Sequence, residues 1–449
     1  MKKDNKKARQ APGAQRRTSN ISLEPGKPVI TWIIEPHDPL IVRDGRPFGP
    51  NPSARAESLS FPFPSTTTGG VRTRAGLKAD GMFDVSQIER VKQIKVRGPL
   101  LVQLAQSGDE IEKWLIPAPA DTLLLESEKK GYVLCKQLVP LKVYEGAETS
   151  STKDGKQFVP PKPDEDAETG STKDRTSLML VGPVRPDPGK PSKETPLYWD
   201  WDAFQKWLVD PSDHEQSLAT LGNSGPSREH RLHVSMNPET LTAKDGALFE
   251  TSGLEFTSTS PGRDKETRLS GARRLALAVV VDRKEASGIR AGLASLGGER
   301  RMVSWRRSNN DLREYPPKLL TAIIKHKACR VLLLTPACFE QGYRPEWLVK
   351  PRDGVQPKLE AIAIQRPQVV SGWNLEHPAG PKPTRRLAPA GTVLFLSLVG
   401  DDKAIESWVK DIWMQCVSDD VQDQKDGFGL AVLGSWSGQP EGMQEAEYK

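Results

Sequence analysis

The hydrophobic positions of this chain come in short runs separated by polar stretches rich in proline and glycine. The first run, "PVITWIIEP" (28–36), is apolar at nearly every position and predicts a buried strand. After it, "FPFPSTTTGGVRTRAGLKAD" (61–80) predicts a helix beginning near Thr66, with Ser65 as its N-cap and two prolines ahead of it. Gly69 and Gly70 fall inside that helix, where each costs roughly 1 kcal/mol relative to alanine. Such a cost implies that a ligand or another backbone comes close, or that helix and sheet cross tightly there.

Strand-like segments follow, "IKVRGPLLVQLA" and "EKWLIPAPADTLLL". "YWDWDAFQKWLVD" predicts a short helix anchored by Trp and Phe, and "HRLHVSMNP" and "GALFETSGLEF" predict strands. "RRLALAVVVD" predicts a strongly apolar strand, "RKEASGIRAGLASLGG" a helix stopped by Gly-Gly, and "ERRMVSWRR" a further strand. Later come the strands "CRVLLLTPA", "LEAIAIQRPQVVSGW" and "GTVLFLSL", and "DDKAIESWVKDIWMQCV" as an amphipathic helix with Asp at its start.

Two units of short strands with two helices each make an α+β protein of two ferredoxin-like (RRM-like) domains with large loop insertions. The expected division is a disordered basic tail at 1–27, an N-terminal domain at 28–235 and a C-terminal domain at 236–449 that ends in a glycine-rich loop. Near 145–196 the first domain carries a polar insertion. In it "EGAETSSTKDG" recurs as "EDAETGSTKDR", and "PVRPDPGKPSKETP" follows. Two polar copies do not make a solenoid, which needs several stacked apolar faces.

A length of 449 residues fits two domains with inserts. The net charge of +6 is concentrated at the start: residues 1–20 hold seven Lys or Arg against one Asp, and the remainder sums to about zero. Any nucleic-acid role therefore rests on local basic clusters. No long apolar run predicts a membrane helix, and the N-terminus lacks the apolar core of a secretory signal. The four cysteines, Cys135, Cys329, Cys338 and Cys416, form no CxxC pair. This points away from zinc and from a disulfide framework, toward a reducing, cytoplasmic setting. His230 and His233 of "EHRLHV" stand on opposite faces of a strand, so no metal site is expected.

Four clusters pair arginine with glycine or aromatic residues. "RDGRPFG" offers Arg43 and Arg46, either to phosphate or to Asp38 and Asp44 in a tight turn. "GGVRTRAG" places Arg72 and Arg74 near the first turns of the predicted helix, whose positive end suits an anion. "LGGERRMVSWRR" interleaves Arg300 and Arg301, then Arg306 and Arg307, with Trp305. "PKPTRRLAPAGTVLF" sets Lys382, Arg385 and Arg386 on a strand approach near Trp373. Basic residues beside aromatics suit single-stranded RNA, held by phosphate contacts and base stacking. "GFGLAVLGSW" carries Gly427 and Gly429, either as a phosphate-hugging loop or as a turn into a last strand. It is neither a P-loop nor a dinucleotide fingerprint. No hydrolase or metalloprotease motif is present, and no cofactor is expected.

Taken in order, "WIIEPHDPLIVRDGRPFG", "SLSFPFPSTTTGGVRTRAG", "EHRLHVSMNPETLTAKDGALFETSGLEF", "LGGERRMVSW", "PKPTRRLAPAGTVLF" and "GFGLAVLGSW" resemble one family. It is that of the third subunit of the Cmr complex, the type III-B CRISPR effector, in the five-type group of the RAMP superfamily. The resemblance implies two ferredoxin-like domains and no catalysis. It implies binding of the repeat-derived 5′ handle of the CRISPR RNA at one end of the backbone filament, near the flank of the target RNA. The implied protein partners are the large polymerase-like signature subunit and the seven-type backbone subunit. By motif, it assigns RNA-gripping elements to Arg43, Arg46, Arg72, Arg74, Gly427 and Gly429. The alternative within the superfamily is a metal-independent endoribonuclease that processes CRISPR RNA with His37 or His233.

Overall fold

The computed structural model of the protein describes residues 29–43, 55–56, 58–142, 178–258, 272–312, 314–371, 373–374, 380–381 and 383–443. The basic tail and residues 143–177, which include the first part of the polar insertion, lie outside them.

β1 (Val29–Pro36) is followed by α1 (Pro64–Ala75), β2 (Val96–Leu104) and β3 (Ile111–Pro117). β4 (Tyr198–Asp200) leads into α2 (Trp201–Val209) and β5 (Gly222–Asn223). A long hairpin comes next, formed by β6 (Ser227–Met236) and β7 (Ala243–Glu255). β8 (Arg273–Asp282), β9 (Gly292–Ser295) and β10 (Met302–Ser308) complete the first half. Their main sheet runs β5-β4-β3-β2-β8-β1-β10-β9, with the short strand Thr257–Ser258 added to β8 off this path. The four central strands, β1, β2, β8 and β10, therefore stand in the order second, third, first, fourth, all antiparallel. The segment between β2 and β8 is a long insertion into that four-strand pattern.

The second half contains α3 (Pro317–His326), β11 (Ala328–Leu333), β12 (Gln356–Ala363), β13 (Gln368–Val370) and β14 (Arg385–Leu387). It ends with β15 (Val393–Val399), α4 (Asp402–Ile412), β16 (Gln415–Cys416), α5 (Val421–Asp426) and β17 (Leu430–Ser435). Its sheet runs β12-β15-β11-β17-β16, so β11, β12, β15 and β17 repeat the same order. The first sheet draws strands from both sides of the division expected at 235/236, and the change of sheet falls between Ser308 and Pro317.

Alternate residues of β1 explain its unbroken apolar run. Trp32 and Ile34 pack with Val71 of α1, Val279 and Trp305 on one face. Ile33 points to the other face, into a core shared with Leu332, Phe395 and Trp408 of the second half. A sheet covered on both sides needs apolar residues at successive positions. The two halves are also tied by a fully buried ion pair. Arg330 on β11 meets Asp121, and its guanidinium also donates to the Ser435 carbonyl at 2.8 Å and the Trp207 carbonyl at 2.6 Å. Asp121 accepts a second bond from the Trp207 indole at 3.0 Å.

Two expectations are corrected. The segment 283–298 is not a helix but a 3-10 turn, Glu285–Gly288, followed by edge strand β9. Ile289 and Leu296 are buried, which imitates helical spacing, yet Leu293 is 63% exposed. Gly292 and Gly297 adopt φ of 112° and 71°, which break any helix there. Helix α1 starts at Pro64, with Phe63 at the cap position and no side-chain cap, so Ser65 already lies inside it.

Candidate nucleic-acid interface

Because α1 ends at Ala75, Arg72 and Arg74 occupy its last turn, not its first. The carbonyl end of a helix is its negative end and favours cations, so the expected helix-end anion site does not form around them. Arg74 is buried: its Nε donates to the Arg290 carbonyl at 2.9 Å and its Nη1 to the Leu293 carbonyl at 3.3 Å. Its guanidinium lies 5.5 Å from the Trp305 ring centre. Arg74 is a strut between α1 and the 290–293 segment. Arg72 donates from Nη1 to Asp426 at 2.6 Å and from Nη2 to the Ile94 carbonyl at 3.1 Å, tying α1 to α5.

The glycine loop lies at the same junction. Asp420 caps α5, accepting from the Gln422 and Asp423 amides, and Gly427 ends it at φ 96°. A Cβ on Gly427 would stand 2.6 Å from the Gly98 carbonyl oxygen and 2.9 Å from that of Val96. One on Gly429 would meet the Ser418 amide at 2.8 Å. Close backbone packing therefore accounts for both glycines. Phe428, between them, is buried against Phe63, Val370 and Leu387. Arg385 covers the Phe428 ring at 5.5 Å and pairs with Asp423. Burial pushes the Asp423 carboxyl above its usual range, with Arg385 pulling against it. The neighbouring Cys338 thiol is pushed up to about 11, chiefly by burial, which leaves it protonated and unreactive near neutral pH.

A second, more open cluster gathers around the start of the "DPLIVRDGRPFG" loop. Leu40 exchanges backbone hydrogen bonds with Leu254 at the base of the β6–β7 hairpin. The Ser58 amide donates to Ser252 at 2.8 Å, and Arg43 bridges to Ser58. From the other side the Gly298 amide donates to the Ile41 carbonyl at 2.7 Å. This brings Arg43 to 3.6 Å from Glu299, which also accepts from Arg301 at 3.0 Å. Arg300 is exposed in the left-handed region, at φ 51°. Arg43, Arg300 and Arg301, far apart in sequence, thus share one surface with Glu299 as a local carboxylate. Arg46 and Lys382 lie outside the described residues, and Arg386 is exposed on β14, away from the Arg385–Asp423 pair.

The hairpin above this surface was read from the sequence only as two strands. Most positions on both faces of β6 are exposed or half-buried. Leu232, Val234, Met236 and Leu248 are between 45% and 67% exposed on one face. On the other, His233 stacks on Phe249 with ring centres 5.2 Å apart. The signal was present: alternating apolar residues in "RLHVSM" with the polar His233 and Ser235 between them mark a ribbon that no core covers on either face. His233 bonds Thr251 at 2.9 Å and His230 bonds Glu250 at 2.6 Å, while His37 is exposed at the end of β1. Among the described residues no group of three His, Cys, Asp or Glu could hold a metal ion, and no helix is long and apolar enough to cross a membrane.

A family model described as CRISPR-associated protein (Cas_Cmr3) matches residues 32–436. Among solved structures, the chain is similar to one in the cryo-EM structure of the type III-B Cmr-beta bound to cognate target RNA and AMPPnP, state 1. That match has 14% identity, covers 81% of this chain and 86% of the other, and has a TM-score of 0.39. A second cryo-EM structure of Cmr-beta, bound to cognate target RNA, matches at 13% identity over the same shares, with a TM-score of 0.41. A crystal structure of the Csm3-Csm4 subcomplex of the type III-A CRISPR-Cas interference complex matches at 9% identity over 83% of this chain and 94% of the other, with a TM-score of 0.32. No curated protein matches the chain.

Proposed function

The chain belongs to the CRISPR-associated Cmr3 family, and we propose that it is a non-catalytic, RNA-binding subunit of a type III CRISPR effector complex. It holds the repeat-derived 5′ handle of the CRISPR RNA and links the large signature subunit to the seven-type backbone filament. The observation that carries this reading is the meeting of three elements. The loop after β1, the turn Gly297–Arg301 and the base of the β6–β7 hairpin present Arg43, Arg300 and Arg301 beneath a projecting ribbon. Arginines there supply phosphate contacts, and the ribbon supplies apolar and aromatic side chains that can part or stack bases. In this reading the hairpin is the thumb that separates handle from guide. Both halves are ferredoxin-like units, a view supported by the strand order second, third, first, fourth in each sheet.

The test is binding of a handle-containing single-stranded RNA to the full chain across a salt series. Each phosphate contact in a single-strand complex adds about 0.7 to the slope of log affinity against log salt. Arg43→Ala with Arg300→Ala should therefore weaken binding and flatten the slope by about 1.4. An unchanged slope in a folded variant would remove these arginines from the interface. RNA cleavage by the purified chain, abolished by His37→Ala with His233→Ala, would replace the scaffold reading with the endoribonuclease one.

A further inference from the structure

The turn between β9 and β10 sets a carboxylate among the arginines of the proposed RNA surface, and its two oxygens are divided between two of them. Glu299 Oε2 accepts from Arg301 Nη2 at 3.0 Å, while Oε1 stands 3.6 Å from Arg43 Nη2. Arg300, between Glu299 and Arg301 in the chain, is exposed beside them. A phosphodiester likewise carries one negative charge on two terminal oxygens. The carboxylate therefore stands, between Arg43 and Arg301, where a backbone phosphate would be gripped.

This arrangement differs from the arginine–carboxylate pairs around α5. Asp426, which meets Arg72 at 2.6 Å, has a side chain 19% exposed, and Asp423, which meets Arg385, one 9% exposed. The Glu299 side chain is 38% exposed. It makes one hydrogen bond to Arg301 rather than the two-bond fork that a carboxylate and a guanidinium can form. Exposed pairs of this kind contribute little and are screened by salt. Of these carboxylates, Glu299 is thus the one that a phosphate displaces most readily.

The turn does not depend on the carboxylate. Its backbone is pinned by the Gly298 amide on the Ile41 carbonyl at 2.7 Å and by the Leu296 amide on the Arg301 carbonyl at 2.9 Å. Glu299 and Arg300 follow one another in the left-handed region, at φ 54° and 51°. Glycine or asparagine is the usual occupant there, and longer side chains are strained. The backbone thus gives no reason for glutamate at this position, and the side chain does. We propose that Glu299 is a resident counter-ion, occupying the phosphate position between Arg43 and Arg301 until RNA displaces it. This assignment rests on the RNA-binding reading above. The carboxylate sets the affinity of the surface below what its arginines alone would give.

The experiment measures binding of a handle-containing single-stranded RNA to the full chain from about 50 to 200 mM salt. The wild type is compared with Glu299→Gln, and with Glu299→Gly, whose residue suits the left-handed backbone and guards against misfolding. Removing the counter-ion frees one further phosphate contact and steepens the salt slope by about 0.7. If the lines meet near 1 M salt, each variant binds about fivefold more tightly than the wild type at about 100 mM. The gain should vanish when Glu299→Gln is made on an Arg301→Gln background. Unchanged or weaker binding by folded Glu299 variants overturns the counter-ion and leaves the RNA-binding reading intact. A gain that persists in full without Arg301 also overturns it, since Glu299 then acts only as one more negative charge on the surface. Binding by Glu299→Gln where the wild type binds none supports both readings, and binding by neither overturns both.

Discussion

Gly69 and Gly70 are neighbours on α1 with opposite surroundings, and alanine at each should separate two physical effects. At Gly69 a Cβ meets nothing within 4 Å. Alanine there gains only helix propensity and should stabilise the fold by about 0.5–1 kcal/mol. At Gly70 a Cβ would lie 3.0 Å from both Leu296 Cδ1 and Trp305 Cζ2. Trp305 cannot retreat easily: it is fully buried, stands edge-on to Trp32 at 6.4 Å and is covered by the Arg74 guanidinium. Forcing a methyl group into such packing costs about 1–3 kcal/mol. The propensity gain is common to both sites, so the difference between the variants isolates the packing term and should be that same 1–3 kcal/mol. Thermal unfolding of the two variants side by side measures it. Equal stabilities would show that α1 does not press on Trp305 through Gly70, and the close helix–sheet crossing would have to be abandoned.

Asp121→Ala leaves Arg330 with no carboxylate partner at a site with no exposure, and should destabilise by about 3–5 kcal/mol, read as a lowered melting midpoint or loss of soluble protein. The Glu35 carboxyl is pulled upward by burial, but its bonds to Arg274 at 2.7 Å and Arg306 at 2.7 Å outweigh that and hold its pKa below the usual value. A depressed carboxylate stabilises the folded state above its unfolded pKa, and this contribution is lost as pH falls through the lowered folded value. Glu35→Gln should therefore lower the melting midpoint at neutral pH and reduce the further loss on acidification. An acid limb identical to that of the wild type would rule the linkage out.

The strands were legible because their signal is local. "VITWII" and "RRLALAVVVD" are apolar at successive positions, and each became a strand buried on both faces. The pairing was not legible: β8 enters between β1 and β2 from far along the chain, across the expected domain division. Segment 283–298 misled because Ile289 and Leu296 are spaced as on a helix while glycines set the backbone. The arginine clusters show the same limit most sharply. "RDGR", "GGVRTR" and "TRR" look alike in sequence, yet Arg43 is exposed, Arg74 is buried against carbonyls, and Arg385 is paired with Asp423. What decides is the nearest oxygen delivered by the fold, which composition does not contain.

Helix α1 also explains how its two arginines come to serve opposite flanks. At about 100° per residue, Thr68 and Arg72 share one stripe, and Gly70 and Arg74 the opposite one. The first stripe binds α5, through Thr68 to the Asp426 carbonyl at 2.7 Å and Arg72 to the Asp426 side chain. The second binds Leu296, Trp305 and the 290–293 segment, immediately before the turn that carries Arg300 and Arg301. Between them Ser65, Gly69 and Thr73 are exposed, a face with no long side chain. The helix's own arginines are thus consumed in holding α5 on one flank and the 290–293 segment on the other in fixed relation.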